Sequence, residues 1–291
     1  MDDRTVWDDF RAHSRTFSLA TRLLPREVQL PVATLYLYCR TVDTVADVLA
    51  PAEGAEAARA ELAAIEHALG RTLALDPPPG ALWPRLARVH ERFGLSEAAL
   101  RELLDGARWD VDGQAVETDA DLVRYSDLVG GCVGAMMLPF LAAPGQDRAA
   151  LEGPARALGI GMQVANIVRD VGEDRDTLGR VYLPAARLRA HGVDLWALQA
   201  PTPDYACLLE GVMGLAEGYF ETGLGAIDGL LPRAQAAIRA AARMYREILN
   251  EVRAAGYDDL SRRAVVPARR KMALVVADDY AARRDALLDA P

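Results

Sequence analysis

Over residues 31–49 the apolar side chains recur at spacings of three and four: Val32, Leu35, Tyr36, Cys39, Val42 and Ala46. That period is one face of an α-helix and not the alternation of a strand. The segment is predicted as a single helix with Pro31 in its first turn, closed by Pro51 and Gly54. A second helix, amphipathic and Ala-rich, is expected over 53–73. Asp76-Pro77-Pro78-Pro79-Gly80 breaks the chain. The break is short and the same helical pattern resumes beyond it, so it reads as an inter-helix loop. Further helices are expected over 82–93, 96–109, 119–141, 147–175, 204–228, 232–255 and 267–287. No repeat or low-complexity tract is visible. The expectation is an all-α fold in one domain spanning residues 1–291.

Composition agrees. Of 291 residues 51% are hydrophobic and only 6% aromatic. That is enough for a sizeable core, and Ala and Leu favour helix over strand. A net charge of −9 argues against a nucleic-acid partner, which needs a basic excess. Cys39, Cys132 and Cys207 are odd in number and form no C-x-x-C pair. They read as small buried apolar residues of a reducing compartment. His13, His67, His90 and His191 never fall at ligand or triad spacing and read as surface or satisfied groups. The first residues are charged and unlike a leader. No run reaches the roughly 18 apolar residues of a membrane span. A soluble cytoplasmic protein, monomeric or weakly dimeric, is expected. Arg262-Arg263 and Arg269-Arg270-Lys271 read as a solvated basic face, with contact to anionic lipid headgroups as the alternative.

Two acidic pairs carry the candidate chemistry. Asp43 and Asp47 lie in Cys39-Arg40-Thr41-Val42-Asp43-Thr44-Val45-Ala46-Asp47, and Asp170 and Asp174 in Asn166-Ile167-Val168-Arg169-Asp170-Val171-Gly172-Glu173-Asp174. An i,i+4 spacing puts both carboxylates of a pair on one helix face, where like charges repel unless a cation relieves them. Gln163, Asn166, Asp170 and Asp174 extend the second pair into a polar line along an otherwise apolar helix, costly to bury without partners. Mg²⁺ takes oxygen ligands, commonly one or two carboxylates plus substrate phosphates. Spacing alone leaves two readings open, a solvated acidic face or a metal site.

These residues, with Gly179-Arg180-Val181-Tyr182-Leu183-Pro184 after the second pair, resemble the two aspartate-rich signatures of the squalene/phytoene synthase family. His13-Ser14-Arg15-Thr16-Phe17-Ser18, the stretch from Glu117 to Gly134, and Met244-Tyr245-Arg246-Glu247-Ile248-Leu249 are similar to its N-terminal, central and C-terminal motifs. The resemblance covers about residues 10–275. It implies a helical isoprenoid-synthase bundle around a central cavity. The implied reaction is Mg²⁺-dependent (or Mn²⁺-dependent) head-to-head condensation of two isoprenoid diphosphates through a cyclopropyl diphosphate.

By the same resemblance, Asp43, Asp47, Asp170 and Asp174 hold the metal with Asn166 in support, and Arg40 and Arg169 contact diphosphate. Tyr36, Tyr125 and Tyr245 line the cavity, with hydroxyls near the diphosphates and rings near the cations. Gln163 lies beside the reacting carbons. Ser14, Phe17, Thr21, Val129 and Gly134 contact substrate. Two positions depart from the family pattern: Asp127 stands where a second tyrosine is frequent, and Thr21 where some members carry a bulky aromatic. The small Thr21 favours a longer substrate, two C20 units giving phytoene, over two C15 units. A non-reductive product without NADPH is expected.

Overall fold

The structure, a computed structural model, describes residues 3–13, 15–274 and 276. In chain order its helices are α1 (Asp3–His13), α2 (Arg15–Thr21), α3 (Arg26–Thr44), α4 (Ala50–Glu53), α5 (Ala55–Leu73), α6 (Trp83–Phe93) and α7 (Glu97–Val111). After these come α8 (Asp119–Ser126), α9 (Cys132–Leu141), α10 (Arg148–Glu173), α11 (Ala185–Ala190), α12 (Pro203–Leu224) and α13 (Pro232–Ala254). Among the described residues the only extended pairing is one isolated bridge, Ala142 to Leu230. The all-α expectation holds.

Local sequence explains most boundaries. Ser96 caps α7 by accepting from the Ala99 amide. Thr118 and Asp121 form a reciprocal capping box at α8. Gly94, at φ +67°, closes α6 in the left-handed conformation that glycine adopts without strain. Other boundaries moved. α3 begins at Arg26 and not at Pro31, which sits inside it. Buried Val28 belongs to the core, so packing extends the helix back past the proline. α1 and α2 had no counterpart in the periodicity. They are held by a few large anchors, chiefly Phe10, whose ring lies 4.7 Å from that of Tyr36 at a tilt of 38°. The helix expected over 267–287 starts at 268 and is followed to 274; of its remainder only residue 276 is described, and Ser14 lies outside the described residues. Cys207 is exposed, unlike buried Cys39 and Cys132. A buried ring nitrogen of His90 has no hydrogen-bond partner.

Two apolar clusters meet around α10. One gathers α3, α5, α6, α7 and α9 through side chains such as Val32, Leu62, Leu86, Leu100 and Met136. The other gathers α10, α12 and α13 through Val164, Leu208, Met213 and Leu249. α9 approaches α10 at backbone distance. A Cβ on Gly134 would stand 2.1 Å from the Ala155 carbonyl oxygen, and one on Gly159 2.1 Å from that of Gly130. Glycine at these positions is what permits the approach.

Three single turns are π-helical: Val45–Leu49, Asp127–Gly131 and Asp174–Leu178. The first two fall within spans the sequence pattern reads as continuous helix, and the third begins just before the expected end of its helix at 175. Such insertions cluster at functional sites. Here one carries Asp47, one carries Val129 and one begins at Asp174.

Candidate active site

Two cavities meet between α3, α9, α10 and α13. The apolar one, about 240 Å³, runs from Tyr36, Asp43 and Tyr245 past Met137, Leu158 and Met162 to Leu151, Ala226 and Leu230. The polar one, about 340 Å³, is lined by both aspartate pairs, Asp110, Tyr125, Arg169, Tyr182 and Arg263. They share Asp43, Val129, Gln163 and Asn166 as a common wall. α3 and α10, each with the π-turn that follows it, therefore present the two acidic pairs to one space: Asp43 and Asp170 from the helices, Asp47 and Asp174 from the turns.

The four carboxylates are not equivalent. Arg169 and Arg263 both grip Asp170 with paired hydrogen bonds, at 2.7 and 2.5 Å and at 2.7 and 3.0 Å. Arg180 donates to Asp47 Oδ1 at 2.8 Å and to the Ala46 carbonyl at 2.7 Å. Burial and the Asp47 charge push the Asp43 carboxyl up to about 7, against the opposing charge of Arg40. Burial and the charges of Asp170 and Glu173 do the same to Asp174, to about 7. Each pair thus holds one neutralised carboxylate and one that resists ionising.

This arrangement fits a hard divalent cation. The donors are all oxygen, Asp43 and Asp174 have raised carboxyls, and the buried Asn166 Oδ1 has no hydrogen-bond partner. Among the described residues no three acidic, His or Cys side chains converge on one point as a closed cage. An ion would sit between one or two carboxylates and a substrate phosphate, as Mg²⁺ does.

The other expected residues divide. Gln163 stands at the shared wall and accepts from Asn166 Nδ2 at 3.3 Å. Phe17, Tyr36, Val129, Gly134 and Tyr245 line the apolar cavity. Burial pushes the Tyr36 hydroxyl up to about 12 and raises that of Tyr245, so both rings stay neutral. Arg169 pairs with its neighbour Asp170, not with Glu173; Glu173 instead meets Arg263 at 3.4 Å. Arg40 lies beside Tyr36 and Asp43 but lines neither cavity. Thr21 is a correction. It is 1% exposed, yet it lines neither cavity, and its hydroxyl donates to the Phe17 carbonyl at 2.8 Å. Asp127 is tied to Arg156 at 3.2 Å, away from the polar cavity.

Asp110, Arg180, Tyr182 and Arg263 were not singled out as site residues from sequence. Arg180 and Tyr182 belong to the Gly179–Pro184 motif, to whose side chains the resemblance assigns no role. Asp110 lay one residue past the expected end of its helix, and α7 in fact runs on to Val111. Arg263 belonged to the basic face read as solvated. Much of that face is committed to the protein: Arg263 to Asp170, Arg270 to Glu247 at 2.9 Å and Arg262 to Asp258 at 3.7 Å.

Comparison with known proteins gives the same picture. The squalene/phytoene synthase family model matches residues 10–270. The phytoene synthase of Thermus thermophilus is 39% identical over 277 residues, covering 94% of this chain and 91% of that one. The 4,4'-diapophytoene synthase of Staphylococcus haemolyticus is 32% identical, covering 89% and 90%. A crystal structure of a dehydrosqualene synthase in complex with ligand superposes with a TM-score of 0.86 at 28% identity, over 97% of this chain and 96% of that one. Two acidic pairs facing one polar chamber that opens on an apolar one, within this fold and at these identities, make the chain a member of the squalene/phytoene synthase family and a prenyltransferase of that kind.

Proposed function

We propose that the protein joins two C20 allylic diphosphates head to head, through a cyclopropylcarbinyl diphosphate, to give phytoene. The observation that carries this reading is the junction of the two cavities. Diphosphates would sit in the polar chamber and isoprenoid tails in the apolar one, so the reacting carbons fall at the shared wall beside Gln163. Asp43, Asp47, Asp170 and Asp174, with Asn166, would hold Mg²⁺ or Mn²⁺, which neutralises the departing diphosphate. Arg169 and Arg263 already border that chamber and offer planar forks of donors suited to phosphate. Tyr36 and Tyr245 turn neutral rings to the other side of the wall, where their faces stabilise positive charge. The apolar walls exclude the water that would quench a cation.

Cavity depth supports the longer substrate. Along α10 the lining runs from Asn166 to Leu151, about 22 Å at 1.5 Å per residue. A C20 tail of sixteen chain bonds, each about 1.5 Å and foreshortened by its bond angles, extends roughly 20 Å, and a C15 tail roughly 15 Å. The apolar product would leave towards a membrane surface, and exposed Val265, Met272 and Val276 flank the basic cluster on that side of the sequence. Co-sedimentation with anionic vesicles checks that point. The main test is incubation with C15 and C20 diphosphates, Mg²⁺, and with or without NADPH, followed by identification of the hydrocarbon. Phytoene formed without NADPH is expected. A C30 product formed faster, or NADPH consumed in step with product, would overturn the C20, non-reductive reading.

A further inference from the structure

Asp110 is a carboxylate inside the polar chamber that the metal-site reading leaves without a task. It is held on α7, close to the point where α7 passes the π-turn Asp127–Gly131. Tyr125 Oη donates to its Oδ2 at 2.9 Å, and Tyr182 Oη donates to its Oδ1 at 2.7 Å. The two rings stack, 4.7 Å between centroids and 20° from parallel. Arg180 lies 3.9 Å from Asp110 Oδ2 and donates to the Tyr182 oxygen at 3.5 Å. Both tyrosines and Asp110 line the chamber. The consecutive helices α7 and α8 and the Gly179–Pro184 tail, 72 residues on from Asp110 at Tyr182, thus converge on one carboxylate.

The direction of these bonds matters. An ionised carboxylate only accepts hydrogen bonds. Burial raises the Asp110 carboxyl to about 6, with Arg180 and the two hydroxyls opposing the rise, so it is anionic at neutral pH. A phenol has a single proton to give. With both protons committed to Asp110, neither hydroxyl can donate to a diphosphate. The Tyr182 oxygen also receives a long contact from Arg180 at 3.5 Å, which makes the Tyr125 oxygen the freer acceptor of the two.

We propose that Asp110 is a positioning residue: it accepts the hydroxyl hydrogen bonds of Tyr125 and Tyr182, so that Tyr125 presents to the chamber an electron-rich acceptor and ring, and not a hydrogen-bond donor to diphosphate. This rests on the head-to-head coupling proposed above, in which positive charge develops at the shared wall. Tyr125 lines the polar chamber that this wall bounds, and an acceptor on that side stabilises the transition state more than the bound ground state, so its loss lowers kcat and leaves KM. It also departs from the expectation that the Tyr125 hydroxyl serves the diphosphates.

Asp110→Asn keeps the shape and reverses one bond, since its amide must donate to one of the hydroxyls, which then turns its proton outward. The expected result is a kcat about tenfold lower or more, comparable to one lost charge-assisted hydrogen bond, with KM within about twofold. Tyr125→Phe should lose a similar factor, and Asp110→Asn in the Tyr125→Phe background should add little. A readout independent of turnover is the ¹³Cζ resonance of Tyr125, identified through Tyr125→Phe. It should report a phenol donating to a carboxylate in the unmodified protein and shift in Asp110→Asn. The proposal fails if Tyr125→Phe raises KM while kcat stays, if the losses of the double variant multiply, or if the Tyr125 resonance of the unmodified protein is that of a free or accepting hydroxyl. That last measurement stands even if Asp110→Asn does not fold. Because the product assay reports the hydrocarbon and the resonance reports the hydrogen bond, failure of either reading is distinguishable from failure of the other.

Discussion

The two acidic pairs share a spacing but not a partner. In the first, Asp47 is held by Arg180, which comes from the far end of the second signature, 133 residues away. In the second, Asp170 is held by its sequence neighbour Arg169 and by Arg263, 93 residues on. Asp43 and Asp174, the remaining member of each pair, have no such grip and are pushed up to about 7. Identical spacing therefore yields two kinds of carboxylate. One kind already has a cation and must exchange it to bind metal. The other is kept in the pocket at a cost that a metal would remove. Long-range arginines, not helix geometry, decide which is which.

The largest test of this contrast is catalytic. Asp43→Asn, Asp47→Asn, Asp170→Asn and Asp174→Asn should each lower kcat/KM about a hundredfold or more, in line with loss of metal-held transition-state charge. EDTA should abolish turnover, and added Mg²⁺ should restore it. Steady-state kinetics decides, and full activity in any one variant would remove that residue from the site.

The metal-free protein separates the two kinds by sign. Asp170→Asn strands Arg169 and Arg263 and should destabilise by about 2 kcal/mol, less than a fully buried pair because Arg263 is half-exposed. Asp43→Asn removes a charge that the pocket disfavours and should stabilise by about 1 kcal/mol at pH 8. Thermal melting in EDTA gives both. Two shifts of the same sign would erase the distinction.

Substrate length is a smaller effect, and it contrasts the far end of the apolar cavity with Thr21. Ala226→Leu adds volume among the lining side chains and should move the C20-to-C15 ratio of kcat/KM about tenfold towards C15. Thr21→Phe, in a packed site off the cavity, should cost about 1–3 kcal/mol of stability by overpacking and leave the ratio unchanged. Competition between the two diphosphates checks both.

The smallest effect lies outside the chamber. Asp259 is buried, accepts from Tyr205 Oη at 2.7 Å, and has one oxygen without a partner. Desolvation pushes it up to about 7. Its unfolded value is near 3.9, so between about pH 4 and 7 the folded state binds the extra proton and stability falls as pH rises. Above 7 the cost is constant. Asp259→Asn should flatten that slope and match or exceed the unmodified protein at pH 8. Denaturant melts at pH 5 and 8 measure it, and an unchanged slope would assign the titration elsewhere.

Helical class, most helix spans and both acidic faces were legible because they depend on local period. The π-turns were not. Val45–Leu49 and Asp127–Gly131 insert a wider turn inside spans read as continuous helix, and Asp174–Leu178 carries its helix past the expected end at 175; packing against neighbouring helices selects such turns. Arg263 was misread because a charged run looks the same in sequence whether it faces water or a carboxylate 93 residues away.

By itself, the sequence determined that this chain is helical, that it carries two oxygen-rich faces at metal-ligand spacing, and that it belongs with enzymes of isoprenoid diphosphates. Each of these follows from residues within a turn or two of one another. The tertiary structure decided which carboxylates are neutralised, which side chains wall the apolar cavity, and where the protons of Tyr125 and Tyr182 point. Those depend on groups that meet only when α3, α7, α10 and the segments after α10 and α13 close around one chamber. Burial and Coulomb forces act over ångströms of space, regardless of distance along the chain.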